Sequence, residues 1–134
     1  YIHSLDTQKL ADVLSKNQMD AGKSLNYFIQ VNIGNEMQKS GLPFNEVDSF
    51  YNYCVKEKKL KIIGLMIIPP NDNNTEKYFK NVSELNSSLA LSDLSMGMSA
   101  DYLLAVKYKA TFIRVGSLIF GERTIKLERR SCSQ

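Results

Sequence analysis

Lys61 to Ile68 reads KIIGLMII, and Pro69-Pro70 stops the run. After the lysine, every residue is apolar or glycine. A strand with one wet face alternates apolar and polar side chains, because successive residues point to opposite faces. An unbroken run belongs in a sheet covered on both sides, the usual situation of parallel strands. TFIRV, from Thr111 to Val115, has the same character, and NYFIQVNI, from Asn26 to Ile33, is β-rich. The expectation is a parallel α/β sheet.

Helical patterns lie between these runs. In DTQKLADVLSK, Leu10, Val13 and Leu14 recur at helical spacing, with Asp6 as the expected N-cap. The loop GNEMQKSGLP ends at Pro43, a residue suited to a first helical turn, and Phe44, Val47, Phe50 and Cys54 then form a stripe. Tyr78, Phe79, Val82, Leu85 and Leu89 share the face of another helix, and SADYLLAVKY reads as a helix capped by Ser99. YIHSL and DLSM read as short strands, and SLIF as one helical turn. The order is β-α-β-α-β-α-β-α-β, in units of βαβ size. Five such strands suit either an open doubly wound sheet or part of a (β/α)8 barrel; a full barrel takes about 250 residues. Residues 1–123 are expected to form one domain and residues 124–134 a charged, flexible tail.

Composition narrows the function. Of 134 residues, 43% are hydrophobic and 23% charged, with net charge +3 and no tryptophan. No basic run alternates with aromatics, so no nucleic-acid partner is expected. No stretch reaches about 18 apolar residues, so no membrane span is expected. Cys54 and Cys132 have neither metal spacing nor a framework pattern, and read as free thiols of a cytoplasmic protein. No signal-peptide pattern opens the chain. Its first residue, Tyr1, is expected to be an internal point of a longer protein.

Ligands of parallel α/β folds bind at the carboxyl ends of the strands. Two strand-to-helix turns there suit an anion: Gly97-Met98-Ser99, and Gly116-Ser117. Between them Arg114 interrupts an apolar strand. A guanidinium in a doubly covered strand needs a partner, so Arg114 is expected to face the pocket. His3, the only histidine, reads as a strand-end or supporting residue rather than a base. Asp6, Asp93 and Asp101 fit caps and turns, Met66, Met96 and Met98 a pocket wall, and Lys39 a solvated loop. No metal site, Ser-His-Asp order, Walker loop or GxGxxG is present.

The segments IHSLDTQKLA, FIQVNIGNEMQKSGLP, IIGLMIIPP, LSMGMSADYLLAV and TFIRVGSLIFGER occur in that order. Together they resemble the C-terminal part of the pyridoxal 5′-phosphate (PLP) homeostasis protein family, from about Ile2 to Arg123. The resemblance implies strands four to eight of a (β/α)8 barrel of the alanine racemase type. Strands one to three, and the Schiff-base lysine at the end of the first, would then lie outside this chain. It implies a PLP carrier or regulator rather than an enzyme, with PLP-dependent apoenzymes as recipients. The alternative is a PLP-dependent amino-acid racemase of the same barrel type, which needs a second catalytic base. By the same resemblance Ser99 hydrogen-bonds the phosphate, with Gly97 and Met98 in the same turn. Gly116 and Ser117 offer backbone N–H groups to it, and Arg114 faces the pyridine nitrogen. One departure is YKAT, where the family usually has a glycine before the last strand; Lys109 occupies that turn.

Open strand edges invite pairing. This chain is therefore expected to be weakly stable alone, or completed by the rest of the barrel or by another copy, with interior residues such as Ile63, Leu65 and Ile113 short of partners. An equilibrium unfolding curve checks this. A protein-concentration dependence or a low midpoint is expected, and a cooperative monomeric transition of ordinary domain stability, about 5–15 kcal/mol, counts against it.

Overall fold

The strands pair in the order in which the chain makes them. The computed structural model describes residues 1–37, 40–114 and 124–126. It contains β1 (Ile2–Leu5), α1 (Gln8–Ala21), β2 (Asn26–Asn32), β3 (Leu42–Pro43), α2 (Val47–Asn52), β4 (Lys61–Ile67), α3 (Thr75–Ser88), β5 (Asp93–Ser95), α4 (Tyr102–Lys107), β6 (Phe112–Arg114) and β7 (Thr124–Lys126). The sheet runs β1-β2-β4-β5-β6-β7, with β3 a short branch on β2. All pairings up to β6 are parallel, and β7 is antiparallel to β6. A doubly wound sheet reverses its strand order at a switch point. This one never does: each unit steps the same way, as in a barrel wall. The fold is a curled parallel sheet, half a barrel.

The curl is visible in contacts that skip the intervening strands. His3 of β1 lies 2.9 Å from the Ser95 Oγ of β5 through its Nδ1, and its ring meets the Phe112 ring of β6 edge-on at 5.3 Å. Tyr1 packs on Phe112 as well, at 5.0 Å. One edge of the sheet thus touches strands near the other edge across the concave face. Phe28, Met66 and Phe112 are buried there, with Ile63 and Ile68 beside them. The larger core lies on the convex side, between sheet and helices, and includes Leu5, Tyr27, Ile29, Leu65, Phe79 and Ile113. Ile63 therefore faces the barrel interior as expected, whereas Leu65 and Ile113 pack under the helices. Both faces of these strands are apolar, so the pattern alone does not say which residue points where.

Asn86 holds α3 to two strands. Its side chain is buried, yet its Oδ1 accepts from the Leu65 N–H at 3.0 Å and its Nδ2 donates to the carbonyls of Asp93 at 2.9 Å and Leu91 at 3.4 Å. β5 is only three residues long. A side-chain amide that satisfies backbone groups of β4 and β5 compensates for the short ladder.

Helix starts and faces depart from the sequence reading in three places. Thr7, not Asp6, caps α1, with its Oγ1 accepting from the Leu10 N–H; Asp6 instead accepts from the Gly41 N–H at 2.9 Å. Leu10, Ala11, Leu14 and Ser15 form the inward face of α1, and Val13 is exposed. Pro43 ends a strand rather than starting a helix, and the segment after it divides into a 3-10 turn at Phe44–Glu46, α2 and a π-helical turn at Tyr53–Glu57. Of that expected stripe, Val47, Phe50 and Cys54 are buried and Phe44 is exposed. Burial, and then the negative charge of Asp12, push the Cys54 thiol up to about 12, so it stays protonated and unreactive. Of the stretch read as a tail, Thr124–Lys126 runs as β7. The SLIF turn, Lys39 and Cys132 lie outside the described residues. Among the described residues no helix is long and apolar enough to cross a membrane.

Lys109 adopts φ +75°, in the left-handed region where a side chain is disfavoured. Lys109→Gly is expected to raise stability by about 0.5–1 kcal/mol, read as a higher urea midpoint at unchanged slope. A lower midpoint would contradict the strain assignment.

Candidate functional site

The concave face carries polar side chains toward the carboxyl ends of its strands. Strand register sets them in rows. Gln30, Met66, Ser95 and Phe112 are successive Cα partners on β2, β4, β5 and β6. Partners at one level of a parallel sheet share a face, and Phe112 and Met66 identify it as the concave one. Below this row the His3 imidazole stacks on Phe28, with centroids 4.4 Å apart and planes 13° from parallel. Above it lie Gly97 and Arg114, joined by a 2.9 Å hydrogen bond from the Arg114 N–H to the Gly97 carbonyl.

Arg114 ends β6 and is half-buried. Together with Met66, Ser95, Gly97, Met98 and Phe112 it lines a narrow recess of about 10 Å³, room for about one water. Its positive charge, after burial, is the second cause that holds the His3 imidazole below its ordinary 6.5. The guanidinium therefore lies toward the concave side. Among the described residues no carboxylate forms an ion pair with it; the pairs there are Lys58 with Asp12 and Lys107 with Glu76.

Met98 also borders a second, larger cleft of about 300 Å³, lined by Pro69, Pro70, Asn71, Thr75, Ser99, Ala100 and Asp101. The structure thus brings Gly97, Met98 and Arg114 around one recess and sets Ser99 on the neighbouring cleft, with Met98 common to both. Gly116 and Ser117 lie outside the described residues.

Gly97 is where a glycine is needed. Its φ is +106°, and a Cβ there would come within 2.7 Å of the Ala105 Cβ, so the turn passes directly beneath α4. The reading of Ser99 as helix cap is corrected. α4 starts at Tyr102 with Asp101 at the N-cap position, and the Asp101 Oδ1 accepts from the Met98 N–H at 2.7 Å. SADY carries two cap-competent side chains within three residues, and backbone geometry selects the later one.

Two polar residues of the concave face escaped the sequence reading. Ser95 holds His3 across the barrel, and Gln30 stands in an apolar strand just as Arg114 does. The signal was the same in both strands, a polar residue inside a doubly covered run. Among the described residues no three His, Cys, Asp or Glu side chains gather to hold a metal ion.

The family model described as alanine racemase, N-terminal domain, matches residues 1–124. The chain belongs to the alanine racemase N-terminal domain family. Among relatives of this family, a pyridoxal phosphate homeostasis protein of Aquifex aeolicus is 37% identical over 131 residues, covering 91% of this chain and 58% of the relative. The protein of the same name from Schizosaccharomyces pombe is 37% identical over 133 residues, covering 91% and 55%. The structure of PipY from Synechococcus elongatus PCC7942 with PLP bound superposes with a TM-score of 0.78 at 31% identity, over 90% of this chain and 60% of that one. The chain spans a little over half the length of these relatives.

His3 makes the stability of this domain pH-dependent. Its folded pKa is lowered, by burial first and by Arg114 second, so the unfolded chain binds the proton more readily. Its contribution is fully present above the unfolded value of about 6.5 and is lost as pH falls through the lower folded value. Denaturation midpoints measured from pH 7 to pH 5 are expected to fall, and to fall less in His3→Gln. Equal slopes in parent and variant would exclude His3 as the cause.

Proposed function

We propose that this chain is the part of a PLP homeostasis protein that carries the phosphate turn and the pyridine-nitrogen partner of the cofactor site. On this reading its parallel strands correspond to strands four to eight of a (β/α)8 barrel. The observation that carries it is Arg114: a guanidinium at the carboxyl end of a strand, toward the concave side, beside the Gly97-Met98 turn, with no carboxylate partner among the described residues. The PLP-bound structure of PipY, which aligns over 90% of this chain, supports the same reading.

The residues fit the cofactor chemically. Arginine keeps its charge and only donates, so it pairs with an unprotonated pyridine nitrogen. PLP supplies an electron sink to enzymes that use it, and a carboxylate partner strengthens that sink by holding the nitrogen protonated. Arg114 does the opposite, which suits holding and delivering the cofactor without turnover. The Gly97 turn lets the backbone approach the phosphate closely, and Ser99 supplies a hydroxyl from the adjoining cleft. Gly116 and Ser117 complete the phosphate contacts in this proposal. PLP-dependent apoenzymes are the recipients it implies, in the cytoplasm.

Arg114→Ala and Ser99→Ala are expected to weaken PLP binding by about tenfold or more each, the loss typical of a hydrogen bond to a charged group. Titration of PLP followed by absorbance checks this. Unchanged affinity in both variants would refute the site.

A further inference from the structure

β2 carries a polar side chain that the site above leaves unused. Gln30 lies between Ile29 and Val31, which belong to the convex core, so it points to the concave face. It is 9% exposed. The other buried polar side chains each have a partner. Ser15 donates to the Lys58 carbonyl, Asn86 bonds the backbone of two strands, and Ser95 meets His3. Among the described residues the Gln30 amide makes no side-chain hydrogen bond, and no fully enclosed side-chain nitrogen or oxygen lacks one. The amide therefore keeps a sliver of open surface, and that opening is on the concave side.

An unpaired buried amide lowers stability. A methionine of the same length would fill the position without that penalty. Gln30 also stands level with Met66 and Ser95, one row below Arg114 and two strands from β5.

We infer that Gln30 is a ligand contact, its amide N–H donating to the phenolic oxygen of a pyridoxal ring held in this site. This rests on the PLP reading above. That reading sets the phosphate at the Gly97 turn and the ring nitrogen at Arg114, both on the β5–β6 side. The phenolic oxygen and carbonyl substituent occupy the remaining ring edge, which then faces β2, where Gln30 presents a donor. Donation to a phenolate favours its ionised form and lowers its pKa.

The test uses PLP itself, titrated into the purified protein and into Gln30→Met, Gln30→Asn and Arg114→Ala. For Gln30→Met, affinity is expected to fall about 10- to 100-fold, the loss of one hydrogen bond to a charged oxygen. The phenolate of bound PLP, followed by absorbance against pH, is expected to titrate at higher pH. The ligand-free thermal midpoint is expected to hold or rise, since an unpaired amide has been removed. Gln30→Asn, which withdraws the amide by one methylene, is expected to bind weakly with little change in midpoint. Unchanged affinity in Gln30→Met while Arg114→Ala binds weakly overturns the inference and leaves the PLP reading standing. Lowered ligand-free midpoints in both Gln30 variants also overturn it, because they mark Gln30 as structural. If neither Arg114→Ala nor the Gln30 variants alter affinity, or the parent does not bind PLP, the PLP reading fails and the inference with it.

Discussion

One imidazole ties one edge of the sheet to strands near the other. His3 of β1 stacks on Phe28 of β2, reaches Ser95 of β5 through Nδ1 and meets Phe112 of β6 edge-on. Without such a bridge, parallel strands stepping in one direction would leave the concave face open and Phe28, Met66 and Phe112 wet. With it, those side chains are buried to 3% exposure or less. The curl that His3 holds also sets the carboxyl ends around one mouth. The polarity of the site follows from the same contact: a half-buried imidazole beside a guanidinium stays neutral, so the charge there belongs to Arg114.

The helices serve this arrangement from outside. Asn86 joins α3 to β4 and β5 where the ladder is short, and Gly97 lets α4 lie directly on the turn after β5. Asn86 thus fixes β5 against β4, and the Gly97 turn, tight against Ala105 of α4 and Ile113 of β6, lies at the level where Gly97 and Arg114 meet. The outer surface adds lesser ties. The Tyr53 hydroxyl donates to Asp12 at 2.5 Å and the Tyr108 hydroxyl to Glu76 at 2.6 Å, but these groups are exposed and solvent screens them.

Much of the fold was legible because its cause is local. Unbroken apolar runs require cover on both faces, and helical spacing between them marks the covering elements. Arg114 stood out for the same reason: a charge in a doubly covered strand needs a special neighbour. The errors share another cause. Asp6 and Thr7, or Ser99 and Asp101, are chemically equivalent as caps, and the choice between them depends on where the chain leaves the preceding strand. Gln30 was missed because glutamine is less conspicuous than arginine in an apolar run, although its burial raises the same question.

The sequence by itself determined that the strands are parallel, that helices cover them, and that a glycine turn and an arginine lie at their carboxyl ends. Periodicity and side-chain chemistry carry that much, since each acts within a few residues. Only the tertiary structure decided that the sheet curls in one direction, that Leu65 and Ile113 face the helices while Phe28 and Phe112 face the barrel interior, and that Gln30 joins Arg114 on that interior face. The physical reason is that both faces of a covered strand are apolar. Which side chain points inward is then set by strand register and by contacts between residues as far apart as His3 and Ser95, and no local pattern records them.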